Sequence, residues 1–72
     1  MDYAAANAAY KRFKTALTRA VNKGDHDAVI TVVDTTETYF AARNWPLPDY
    51  WSRFERAKED AEWAKRRAAS TW

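Results

Sequence analysis

The chain reads as an all-α protein, a compact three-helix bundle made of an antiparallel hairpin and a third packed helix. Three observations predict this. Tyr50, Phe54, Ala57, Ala61, Ala64 and Ala68 follow one another at alternating spacings of four and three. That is one narrow stripe down an α-helix. Tyr3, Ala6, Tyr10, Phe13, Leu17, Ala20 and Val21 form a second apolar face at helical spacing. Helix breakers interrupt the chain at two places, Gly24-Asp25 and Asn44-Trp45-Pro46-Leu47-Pro48. The helices are therefore expected at about 2–23, 25–43 and 48–68.

In the first helix, Asp2 is placed to cap the start and to favour the positive end of the helix dipole. Gly24, the only glycine, stands just past the last apolar residue. A left-handed residue commonly ends a helix there. The second segment opens with Asp25 as N-cap and Asp27 in its first turn. Val29, Val32, Val33, Thr36, Tyr39, Phe40 and Arg43 then lie on one side of a helix. The stretch is rich in Val, Ile and Thr, which favour strands. Strict alternation is absent, however, and no second strand-like segment exists to pair with it. Helix is the expected outcome.

Two prolines within three residues disfavour helix before each of them. Pro48 suits the first turn of the third helix, and Asp49 adds favourable charge there. Arg56/Asp60, Lys58/Glu62 and Glu62/Arg66 are offset by four residues. Such pairs contribute about 0.2–0.5 kcal/mol each and keep an outer face solvated. Residues 69–72 are expected to fray.

Seventy-two residues make one small domain, residues 1–72. A core of this size rarely supplies more than about 3–5 kcal/mol unaided, so a weak homodimer is a reasonable expectation. There is no cysteine, hence neither a disulfide framework nor a cysteine-based zinc site. The sequence holds no run of about 18 apolar residues, so no membrane span is expected. The start has no basic region before an apolar run, so a secretory signal is not expected. The expected location is the cytoplasm, or the host cytoplasm if a phage encodes the chain.

The net charge of +2 is too balanced to imply nucleic acid by itself. Its distribution is uneven. Residues 1–24 carry Lys11, Arg12, Lys14, Arg19 and Lys23 against Asp2 alone. Residues 25–43 carry Asp25, Asp27, Asp34 and Glu37 against Arg43. The two segments are expected to pack side by side with complementary charge.

Signatures of catalysis are missing. His26, the sole histidine, sits between Asp25 and Asp27 at a helix start. Capping explains that trio better than metal ligation. Ser52 and Ser70 lack a nucleophile-elbow setting, and one glycine cannot build a phosphate loop. Glu55/Glu59 and Glu59/Asp60 lie among cations on a polar face. The expectation is a non-enzymatic protein with no metal and no cofactor.

Four tryptophans in so short a chain are a better clue. Trp51 adjoins the apolar stripe and should be core. Trp45, in the proline joint, should cover the end of the bundle. Trp63 falls on the polar side of helix three, near Arg56 and Arg67, and Trp72 is terminal. An outward Trp marks binding hot spots. It also lies over arginine stems as a surface cation–π contact. Trp63, Arg56, Arg67 and Trp72 thus form a candidate protein-contact surface. Arg12, Arg19 and Lys23 on helix one, with Lys65, Arg66 and Arg67 on helix three, form an alternative nucleic-acid surface.

The run from Trp45 to Ala61 resembles a pattern in short uncharacterised three-helix proteins of actinobacteria and their bacteriophages. Gly24-Asp25 matches their hairpin turn, Pro48-Asp49-Tyr50-Trp51 their joint, and Ala57 with Asp60-Ala61 their third helix. The pattern is one of helix packing and carries no activity with it. It implies a phage or prophage accessory protein, acting by binding a host macromolecule, most naturally a host protein.

Overall fold

Helix α1 spans Tyr3–Lys23 and stops at Gly24, which takes φ +67°. In this computed structural model, residues 3–49 and 51–70 are described. The Gly24 N–H donates to the Val21 carbonyl at 3.0 Å, and the Asp25 N–H donates to the Ala20 carbonyl at 3.0 Å. This pair of bonds is the left-handed closure of a helix C-terminus. Asp25 then changes role. Its side chain accepts from the Ala28 N–H at 3.0 Å and so caps α2, His26–Ala42. The expected cap Asp2 lies outside the described residues.

Helix α2 is helical throughout despite its β-branched residues. Burial outweighs propensity here: Val29, Val33, Thr36 and Phe40 are all buried. Val29 and Val33 join the common core, while the fully buried Thr36 hydroxyl donates to the Val32 carbonyl at 2.6 Å. The helix ends by the same device as α1. Asn44, at φ 56°, donates its N–H to the Ala41 carbonyl, and Trp45 donates to the Phe40 carbonyl. The motif usually carries an apolar contact between its two ends. Here the Phe40 and Trp45 rings meet edge-on at 5.7 Å.

Helix α3 is Trp51–Ala69, three residues later in onset than Pro48 suggested. Pro48 stays outside it, with its carbonyl accepting from the Trp51 N–H at 2.9 Å. The reason is reach. The turn at Asn44 draws Trp45 back onto Phe40, and the following residues must recover that distance to cross to α3. At the far end Ala69 is still helical. Ser70 donates its N–H to the Arg66 carbonyl and its hydroxyl to the Arg66 and Arg67 carbonyls. Thr71 and Trp72 lie outside the described residues.

The result is an all-α three-helix bundle, 50 × 19 × 17 Å, with α2 packed along both neighbours. Leu17, Ala20, Val29, Val33, Trp51, Phe54 and Ala61 form the core. Tyr10 meets Phe54 at 5.9 Å, and Trp51 stacks on Phe54 at 5.0 Å. The α3 stripe is buried at Phe54 and Ala61, half-buried at Ala57 and Ala64, and exposed at Ala68. Its first member, Tyr50, lies outside the described residues. The apolar face of α1 is also interrupted. Tyr3 is 75% exposed and Val21 52% exposed, near the two ends of a helix that its neighbours do not cover along its whole length.

The charges pair differently from the sequence expectation. Segments one and two do pack together, but the α2 carboxylates turn to α3. Lys58 donates to Asp34 at 2.7 Å, and Lys65 pairs with Asp27. Asp27 and Asp34 are seven residues apart on α2, as are Lys58 and Lys65 on α3. The pairs therefore repeat once every two turns along an antiparallel seam. Lys58 chooses Asp34 rather than Glu62 within its own helix. Among the described residues, neither Arg56/Asp60 nor Glu62/Arg66 closes to an ion pair.

Candidate interaction surfaces

Trp63 is 60% exposed on α3. It sits on the polar side because its neighbours in the heptad rhythm, Ala61 and Ala64, are drawn inward to buried and half-buried positions. Two shallow hollows meet at it. One runs towards Ser52 and includes Arg56, Glu59 and Asp60. The other includes Asp60, Ala64 and Arg67. The structure thus brings Trp63, Arg56 and Arg67 onto one continuous face. It adds Asp60, which borders both hollows and which sequence reasoning left out. The signal was present: Asp60 is four residues from Arg56 and three from Trp63.

Arg43 lies 3.5 Å from the Tyr39 ring centroid and 5.7 Å from that of Trp45. Trp72, the fourth member of the expected surface, lies outside the described residues.

The six nucleic-acid candidates separate. Arg12, Arg19 and Lys23 are exposed along one stripe of α1 and make no ion pair among the described residues. Lys65 is occupied by Asp27. Arg66 and Arg67 are exposed in the last turn of α3, where cations suit the negative end of the helix dipole.

A groove of about 330 Å³ also opens between the end of α1 and the middle of α3. Its floor is small and apolar, Ala20, Val29, Ala57 and Ala61, with exposed Val21 on one wall and Arg53, Arg56 and Asp60 on the other. The sequence put Val21 and Ala57 into closed helix faces and so missed it. A groove at the level of Tyr10, Phe40 and Pro48 marks the opposite end.

Two titrating groups are displaced. The hydrogen bond from Lys65, and then its charge, hold the Asp27 carboxyl below its ordinary value. The hydrogen bond to Asp34 holds the Lys58 ammonium above its ordinary value, against a smaller opposing effect of burial. Both belong to the α2–α3 seam and not to a cleft. His26 is exposed at the start of α2, and Ser52, Glu55, Glu59 and Asp60 are exposed on α3. Among the described residues, no three His, Asp or Glu gather as a metal site. No described helix is long and apolar enough to cross a membrane.

Comparison with protein-family models, curated proteins and solved structures finds no match to the chain.

Proposed function

We propose that this protein is a non-enzymatic interaction module whose outer α3 face, centred on Trp63, docks onto another protein. One observation carries the reading: a tryptophan 60% exposed within an ordered helix. Leaving so large an apolar surface in water is unfavourable. Burying one aromatic side chain recovers about 1.5–3 kcal/mol. Trp and Arg dominate the energetic centres of interfaces, and a surrounding polar rim excludes water. Trp63 with Arg56 and Arg67 has that composition, and Glu59 and Asp60 supply the rim. The resemblance to short actinobacterial and phage proteins suggests the setting, a phage or prophage accessory protein whose partner is a host protein.

A pull-down from lysate of the producing or host cell tests it. The expected result is one partner recovered by the wild type and lost with Trp63→Ala, at unchanged helical content. Recovery of the same partner by both would remove this face from the function.

A further inference from the structure

We infer that the outward face of α1 binds the phosphate backbone of duplex DNA, through a surface separate from Trp63. Helix α1 carries Lys11, Arg12, Lys14, Arg19 and Lys23 and no carboxylate. All five cations are exposed, and none is ion-paired among the described residues. Asp27 and Asp34 lie on the adjacent helix, yet both are spent on Lys65 and Lys58 of α3. Of the chain's ten Asp/Glu, only Asp2 precedes Gly24. Helix α1 thus carries five Lys/Arg and no carboxylate, while the residues outside it carry seven Lys/Arg against ten Asp/Glu.

That arrangement costs stability. Arg19 and Lys23 are like charges four residues apart, which weakens a helix unless an anion neutralises them. Arg12, Arg19 and Lys23 form a stripe about 16 Å long at ~1.5 Å per residue. Duplex DNA offers one negative charge per ~1.7 Å of its axis, so such a stripe faces several phosphates whatever the base sequence.

Other occupants fit less well. A membrane-surface helix needs a free apolar face. On α1 that face is consumed, with Ala9, Leu17 and Ala20 buried and Tyr10 and Phe13 packed against the core. Single strands are held by rings interleaved with cations. Both mid-helix rings of α1 point into the bundle, Phe13 onto Tyr39 and Tyr10 onto Phe54. The Arg12–Arg19–Lys23 stripe itself offers an acidic protein no large apolar anchor, and interface centres need one.

Fluorescence anisotropy of a labelled mixed-sequence duplex, titrated with the full chain, decides the matter. If three phosphates are neutralised, the log–log salt slope is about −2.7, and binding weakens roughly 40-fold between about 50 and 200 mM salt. Arg12→Gln/Arg19→Gln/Lys23→Gln should reduce affinity at least tenfold with its thermal melt intact, since all three side chains are exposed. Lys65→Gln/Arg66→Gln/Arg67→Gln and Trp63→Ala should each bind within about threefold of wild type, which separates this surface from the α3 reading. Four results would overturn the inference. These are no binding at low salt, affinity indifferent to salt, an α1 triple variant that binds like wild type, or an α3 variant that loses as much as the α1 variant. Tighter binding to polyglutamate, to single-stranded DNA or to phosphatidylserine vesicles would equally overturn it.

Discussion

At the scale of single residues, two positions with positive φ do the same work with different side chains. Gly24 and Asn44 each end a helix by a left-handed turn, and each donates an N–H back into the last turn. Glycine adopts that backbone freely, whereas asparagine does so at a modest strain. Asn44→Gly should therefore raise stability by a few tenths to about 1 kcal/mol, and Asn44→Ala should lower it by a similar amount. Urea denaturation of the two variants checks the opposite signs; a loss with glycine would mean that the Asn44 side chain itself holds the turn. Gly24 was legible in the sequence because a lone glycine beside a capping aspartate has few other uses. Asn44 was not, because asparagine beside prolines suits many turns. Its role emerges only once Trp45 is seen against Phe40.

At the scale of elements, the seam between α2 and α3 is held partly by charge. The sequence showed which residues were charged, but not the register that decides their partners. Within one helix the i,i+4 partner is always on hand. Between helices it depends on how far one has slid along the other, and here Asp34 meets Lys58. The two displaced groups predict how pH acts on this seam. Asp27 has a lowered folded value, so its contribution is present above the ordinary carboxylate range near pH 4 and is lost as pH falls through that lowered value. Lys58 has a raised folded value. Its contribution is complete below about pH 10 and is lost as pH rises through the raised value. Calorimetry of wild type and Asp27→Asn should show melting temperatures that converge in acid, and Lys58→Gln should converge with wild type in strong alkali. Both effects should be small, because the charges are solvated. Wild-type and Asp27→Asn curves that stay parallel below pH 5 would show that the pair contributes nothing.

At the scale of the whole molecule, three helices of unequal length leave ends uncovered. The apolar stripe of α3 announced the bundle. It could not announce where the hairpin would stop covering it, because that depends on the lengths of the other helices and on where α3 begins. Ala61 is buried, Ala64 half-buried and Ala68 exposed, so the cover fails over the last two turns. Those turns expose small side chains next to Trp63, a surface that two copies can share across a two-fold axis. The expected behaviour is a monomer–dimer equilibrium that Trp63→Glu shifts to monomer. Sedimentation over a concentration series reads it directly. A constant monomer mass up to millimolar concentration, or a dimer indifferent to Trp63→Glu, would count against self-association through this end.

Asp25 has a consequence for how the molecule comes apart. One residue closes α1 with its backbone and starts α2 with its side chain, and no slack separates the two duties. Ordinary helix ends fray one at a time, each into its own loop. Here the last turn of α1 cannot unwind without pulling the first cap out of α2. The amides of Gly24, Asp25 and Ala28 therefore share a single opening event. The turn acts as a latch between two helices.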